Sequence, residues 1–144
     1  MVQKYNLQSL DISTDWVVVL NKFYEIDQHD DVPEDDIYSL IYYQEDLLYL
    51  TKGIYHLDLG WYGSDNFIND RTGFCIHLFR GENWNNAELL VKYYSNNKQV
   101  IVNKINQLLK AVNLGYFDKL AGYKVDDNDP TNQNDFSDMN NYCV

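Results

Sequence analysis

Hydrophobic residues recur at every second position in three segments of the chain. Within the segment from 54 to 62, the positions that alternate are Tyr55, Leu57, Leu59 and Trp61, and the same spacing of two recurs over 73–80 and 87–94. This spacing puts alternate side chains on one face of a β-strand. Loops separate the segments, so the pattern predicts an antiparallel meander.

A run of β-branched residues, Trp16-Val17-Val18-Val19-Leu20, extends the strand pattern toward the N-terminus. Valine loses rotamer freedom in a helix and suits a pleated surface, so this run predicts a further strand. The apolar residues of 37–50 are spaced more like one or two helical turns. We expect those turns to cover part of the sheet.

The period changes after Asn97. Ile101, Ile105, Leu108 and Val112 follow helical spacing, so the sequence predicts an amphipathic helix over 97–112. Asn97 is suited to the N-cap, with Asn96 as an alternative, and Gly115 is suited to ending the helix.

Together these elements predict an α+β fold, with an antiparallel sheet of about four strands and a C-terminal amphipathic helix packed on one face. The chain has 144 residues, which is enough for one domain with a real core. We expect that domain to span 1–124. Residues 125–144 are rich in Asp and Asn, so we expect an acidic, loosely ordered tail.

The charge is unevenly distributed along the chain. Residues 1–50 carry eleven acids against Lys4 and Lys22, a net charge of −9, whereas residues 51–124 carry a net charge of +3. Nine of the acids lie between Phe23 and Thr51, a stretch without Lys or Arg. Such a field attracts cationic partners and repels polyanions, so direct nucleic-acid binding is not expected.

Other sequence features restrict the cellular setting. The two cysteines, Cys75 and Cys143, make no disulfide framework, and the N-terminus lacks the apolar core of a secretory signal. No apolar run approaches the ~20 residues that span a bilayer. We therefore expect a soluble cytoplasmic protein with free thiols.

The order of motifs between residues 14 and 112 resembles that of a known family. Leu57-Asp58-Leu59-Gly60-Trp61-Tyr62 is followed by Thr72-Gly73-Phe74 and then by Glu82-Asn83-Trp84-Asn85-Asn86. Asn21-Lys22-Phe23-Tyr24-Glu25-Ile26-Asp27 precedes them. This order resembles small bacterial immunity proteins of contact-dependent growth inhibition and polymorphic toxin systems.

The resemblance implies an antitoxin function: binding and neutralising the C-terminal toxin domain of one cognate effector, often a nuclease. Nuclease toxins need a cationic surface for phosphate, and a carboxylate-rich protein can occupy it. Tyrosines beside the acids would supply buried anchors. The predicted partner-binding residues are Asp27, Asp30, Asp31, Glu34, Asp35, Asp36, Tyr38, Tyr62, Asp65 and Asp70.

Two alternatives to an immunity protein stay open. The first is an acidic nucleic-acid mimic, an inhibitor or adaptor that binds a host enzyme. The second is a hydrolase using His56, Asp58 and His77, which share one sheet face if 54–62 and 73–80 pair. No nucleophile motif or phosphate-binding glycine loop accompanies these residues, so we expect histidines satisfied within the sheet and no enzyme.

The acidic loops at 27–31 and 126–129 can be compared with calcium sites. In the second loop Pro130 and Thr131 follow where a glycine is required, and no Glu closes the loop. Solvated acidic loops explain both stretches better. We therefore expect no metal and no cofactor.

Overall fold

One antiparallel sheet, crossed by a single long helix, forms the described part of a computed structural model of the chain. The strands are β1 (Val17–Asn21), β2 (Leu48–Lys52), β3 (Tyr55–Tyr62), β4 (Gly73–Arg80), β5 (Glu88–Ser95) and β6 (Tyr123–Lys124). Helix α1 (Lys98–Asn113) lies between β5 and β6 in the chain. The structure describes residues 6–25, 46–62, 73–83, 86–119 and 123–124.

The strands lie in the sheet in the order of the chain, which is the predicted meander. The α+β class and the helix packed on one face are confirmed. The strand count is corrected: within the described residues, five strands of five or more residues and a two-residue sixth replace the predicted sheet of about four.

The additional strand is β2, whose first three residues fall within 37–50, where helical turns were predicted. Leu48 and Leu50 are both fully buried, and β2 pairs with β1 on one side and β3 on the other. Pairing on both edges outweighs a weak local preference in so short a segment. Residues 37–45 lie outside the described residues.

One face of the sheet packs against α1, chiefly through β4 and β5. Apolar side chains on this face align across neighbouring strands, so each buries the next. One row is Leu50, Leu57, Leu78 and Val91; the next is Leu48, Leu59, Ile76 and Tyr93.

Helix α1 has the caps that its sequence predicted. The Asn97 side chain accepts a hydrogen bond from the backbone N–H of Val100 at 3.2 Å. Its buried stripe includes Ile101, Ile105 and Leu108. The helix has 16 residues, and no helix in the described ranges is both long and apolar enough to cross a membrane.

The N-terminal segment packs against the core and against α1. Leu10 and Ile12 pack against the core. The Asp11 backbone N–H donates to Asn106 Oδ1 of α1 at 2.9 Å. Trp16 Nε1 donates to Asn113 Oδ1 at the end of α1 at 3.0 Å. This segment has no clear period, so its role was not visible in the sequence.

Two β-bulges change which side chains share a face. The β4–β5 register passes from Leu78–Val91 to Phe79–Leu89, which leaves Leu90 unpaired. The prediction that Leu89 and Val91 share a face is therefore wrong, because an extra residue reverses the alternation.

A second bulge lies at Val19 in β1. The β1–β2 register passes from Val18–Leu50 to Leu20–Tyr49, so Val19 has no partner in that ladder. An extra residue at an edge strand bends the strand and redirects the side chains beyond it. The bulge therefore aligns Leu20 with Tyr49.

Two positions favour glycine for different reasons: Gly73 has no space for a Cβ, and Gly53 has a left-handed backbone. A Cβ on Gly73 (φ +153°) would lie 2.9 Å from the Ser95 carbonyl oxygen, whereas a Cβ on Gly53 (φ +58°) would meet nothing within 4 Å. We expect Gly73→Ala to lower the free energy of unfolding by about 2 kcal/mol or more, because backbone atoms must move. Gly53→Ala should cost only about 1 kcal/mol, from its left-handed conformation.

Urea unfolding followed by circular dichroism measures both variants against the unmodified protein. Equal destabilisation by the two substitutions would contradict the close approach of β4 to the β5–α1 connection.

Candidate functional site

The predicted partner-binding residues are almost entirely outside the part of the chain that the structure describes. Tyr62 is the exception, since its backbone ends β3 opposite Gly73. The others stay predictions: Asp27, Asp30, Asp31, Glu34, Asp35, Asp36, Tyr38, Asp65 and Asp70.

The two ends of the acidic stretch are close together. The Lys22 backbone N–H donates to the Leu47 carbonyl at 2.6 Å, and all nine carboxylates of residues 23–51 lie between these two positions. Glu25 and Asp46, the first and last of the nine, are exposed. The stretch therefore leaves and re-enters the sheet at one place, beside β1.

A buried lysine fixes the near end of this stretch to the helix. Lys98 opens α1, and its Nζ donates to the Tyr24 carbonyl. The same ammonium lies 5.3 Å from the centre of the Phe23 ring. A cation at a helix N-terminus opposes the helix dipole, so these two contacts offset an unfavourable position.

On the sheet face opposite α1, one apolar residue and four polar residues align across five strands. Leu20 of β1 aligns with Tyr49, Tyr49 with Asp58, Asp58 with His77, and His77 with Lys92. We call this the polar row. It runs from an apolar residue at the edge to a lysine that is only 2% exposed.

The histidines and Asp58 share this face, as predicted from the pairing of β3 with β4. His56 lies two residues before Asp58 on β3, and Asp58 aligns with His77 on β4. General-base catalysis would require the histidine rings to be positioned to exchange protons with a substrate.

His56 is held on both ring nitrogens. Its Nδ1 lies 2.8 Å from the Tyr49 hydroxyl, and its Nε2 lies 2.9 Å from the Gly81 carbonyl. A carbonyl only accepts, so Nε2 donates to it and Nδ1 accepts from the tyrosine when the ring is neutral. The ring also stacks on Phe79 at 4.8 Å. This arrangement fits a structural histidine better than a general base.

His77 lies between a carboxylate and a thiol. Its Nδ1 is 3.9 Å from Asp58 Oδ2, which is longer than a hydrogen bond. The Cys75 Sγ is 4.0 Å from both ring nitrogens. An atom equidistant from both nitrogens lies along the lone pair of neither, so the thiol is not aligned for proton transfer. Cys75 is also completely buried.

An open cavity of about 360 Å³ lies between the edge strand and the polar row. This volume falls within the range of small-ligand pockets. We call it the edge cavity; its lining residues are Val19, Leu20, Asp46, Tyr49, Asp58 and Phe79. Aliphatic and aromatic walls therefore accompany two carboxylates.

The outer edge of β1 is the most apolar exposed surface that the structure describes. Val17, Val18 and Val19 are 60%, 48% and 57% exposed, and within the described ranges no strand pairs with the outer side of β1. Pairing on that side begins only beyond β1, where Leu7 forms an antiparallel bridge with Tyr24. Proteins usually charge, shorten or cover such an edge. An uncovered apolar edge is the surface to which a partner adds a strand.

The described residues contain no group of three or more His, Cys, Asp or Glu side chains placed to hold a metal ion. The acidic loops at 27–31 and 126–129 lie outside those residues. No family model, curated protein or solved structure matches this chain.

Sequence reasoning missed the edge cavity because it missed β2. Tyr49 and Asp46 belong to a segment predicted to be helical, so they were not placed beside Asp58. The signal available was the alternation of Leu48 and Leu50 with polar neighbours. The Val17–Val19 run predicted the strand correctly, and its three consecutive valines left no face of that strand polar.

The pKa of Tyr49 offers a probe of the edge cavity. Burial raises this pKa, and the negative charge of Asp58 raises it further. We expect Asp58→Asn to lower it, because removing the charge makes the phenolate easier to form. Asp118→Asn should instead lower the pKa of Tyr55, which burial and a hydrogen bond to Asp118 raise.

Carbon NMR of labelled tyrosine, titrated with pH and assigned with Tyr49→Phe, measures both pKa values. Since the raised pKa stabilises the protonated folded state, this contribution is complete below about pH 10 and is lost as pH rises through the folded pKa. An unchanged Tyr49 titration in Asp58→Asn would show that the carboxylate is not beside the hydroxyl.

Proposed function

We propose that this protein is an immunity protein, a stoichiometric inhibitor that binds the toxic C-terminal domain of a cognate effector in the cytoplasm of the producing cell. The toxin of this proposal is a basic nuclease. The observation that carries the proposal is the concentration of nine carboxylates between residues 23 and 51, without one Lys or Arg.

Such a concentration of like charge destabilises a folded chain through repulsion. We therefore infer that it is kept because it has a use. A nuclease domain presents lysines and arginines where phosphates bind. A dense negative surface accelerates encounter with that domain and discriminates against partners of the wrong charge. Inhibition then needs only occupation of the toxin surface that meets its substrate.

The fold is consistent with this use of the acidic stretch. Its ends meet at the Lys22–Leu47 hydrogen bond, and the exposed valines of β1 begin five residues before Lys22 in the chain. The carboxylate of Asp46 thus adjoins the apolar surface of β1, since Asp46 lines one cavity with Val19 and Leu20. Interfaces with this combination gain speed from the charge and most of their affinity from the buried core.

The described face opposite α1 supports binding over catalysis. Both ring nitrogens of His56 have partners, and Cys75 is buried. The histidine–aspartate pair of the hydrolase alternative is separated by 3.9 Å between Nδ1 and Oδ2. These contacts stabilise a sheet without presenting a nucleophile.

Protection of cells is the direct test of the proposed function. Co-expression of this chain should restore growth to cells that express the toxin domain encoded immediately upstream, and the purified pair should form a one-to-one complex. A toxin domain from an unrelated effector is the control. Failure to protect, together with capture of a host nucleic-acid enzyme, would favour the nucleic-acid-mimic alternative instead.

The acidic stretch should govern the rate of association. We expect joint substitution of Asp30, Asp31, Asp35 and Asp36 by Asn to slow association about tenfold at low salt, with a smaller effect on dissociation, because steering acts before contact. Surface plasmon resonance over a series of salt concentrations measures both rates and the salt dependence.

A control variant removes the same charge from the tail, with Asn at Asp126, Asp127, Asp129 and Asp135. It should slow association less. If both variants behave alike, total charge matters and residues 30–36 are not the docking surface.

A further inference from the structure

The edge cavity and the outer edge of β1, along which no described strand pairs, form one continuous surface. Val19 and Leu20 belong to both, because the bulge at Val19 brings Leu20 beside Tyr49. A strand added to β1 would therefore run past the mouth of the cavity. Alternate side chains of that strand point to the same face, so one of them can enter.

The lining of the cavity selects the kind of side chain that fits. Val19 and Leu20 offer aliphatic surface for a methylene stem, and Tyr49 and Phe79 offer aromatic rings. Arginine stacks its planar guanidinium on aromatic rings while hydrogen-bonding to carboxylates. Its stem also buries well along apolar walls.

The carboxylates of the cavity supply the negative charge that an arginine guanidinium binds. Asp58 is 24% exposed and Asp46 is exposed, and both line the cavity. The negative charge of Asp58 reaches the cavity, since it contributes to the raised pKa of Tyr49. Hydrogen bonds between ionised partners are stronger than neutral ones.

We propose that β1 accepts an extended strand from a protein partner and that the edge cavity receives an arginine side chain of that strand. This inference rests on the proposed function, for which it identifies the docking surface and the partner's chemistry. The arginine would come from the toxin domain.

A second copy of this chain is the less suitable occupant of the edge. The protein carries a formal net charge of −11, so two copies of it repel each other. Like charges that face each other oppose such pairing. A cationic strand has the complementary charge.

Another cavity, of about 420 Å³, lies beside the end of α1. Its carboxylate, Asp118, accepts a hydrogen bond from the Tyr55 hydroxyl at 2.6 Å. Its ammonium, Lys52, donates to Asn113 Oδ1 at 2.8 Å. The charged groups of that cavity thus already hold the protein together.

The test uses a short peptide with blocked ends, in which valine and threonine flank a single arginine. A second peptide carries citrulline, the uncharged isostere, in place of arginine. Proton–nitrogen NMR of the full chain should show shifts at Val17, Val18, Tyr49 and Asp58 on adding the arginine peptide. The citrulline peptide should bind about tenfold more weakly, because it loses the charge-assisted hydrogen bonds.

Matched variants separate the edge from the cavity. Val18→Lys should abolish peptide binding, because lysine on an edge strand opposes pairing. Ile54→Lys, at a side chain of 47% exposure against 48% for Val18, should leave binding within about twofold of the unmodified protein.

For the cavity, Asp58→Asn and Asp46→Asn should each weaken arginine-peptide binding several-fold, while the exposed Asp11→Asn on the helix side should not. If Asp58→Asn lowers stability, Asp46→Asn still tests the cavity, because Asp46 is exposed and its substitution does not disturb the core.

Equal affinity for arginine and citrulline, absence of binding at millimolar peptide, or shifts confined to α1 would each overturn the proposal. Self-association in sedimentation that Val18→Lys removes would also overturn it, in favour of a second copy. Protection against the toxin that persists in Val18→Lys, with Asp58→Asn also without effect, would overturn this docking surface while leaving the proposed function intact.

Discussion

The continuous pairing of β3 with β4 is the constraint on which the rest of the structure depends. Eight residue pairs run from Tyr55–Arg80 to Tyr62–Gly73 without a bulge. A slip of one residue would move every side chain of a strand to the other face. The register therefore places Leu57 and Leu78 against α1 and, by the same geometry, places Asp58 beside His77.

Much of the fold could be predicted from local sequence, and the remainder depends on contacts between distant segments. The helix over 97–112 was visible because its apolar spacing and its Asn97 cap agree. The strand β2 was not, because five residues carry too little pattern to outweigh neighbouring leucines at helical spacing. The bulges at Val19 and Leu90 arise from packing across the sheet, which no single segment specifies.

The candidate site, too, was predictable from the sequence only in part. The sharing of a face by His56, Asp58 and His77 followed from alternation alone. The partners that occupy the His56 nitrogens did not, because Tyr49 comes from β2 and the Gly81 carbonyl from the turn after β4. The acidic partner-binding residues were chosen from charge and from a family resemblance, and their role as a docking surface stays a prediction.

The Lys22–Leu47 hydrogen bond has a consequence for how this kind of protein can change over time. It fixes the two ends of the acidic stretch beside each other, and closing a longer chain between fixed ends costs only slowly more entropy. The chain can therefore lengthen or shorten between these two positions at a small cost in closure entropy. The length of the stretch can thus vary while the pairing of β1 with β2, which flanks it, holds the register of the sheet.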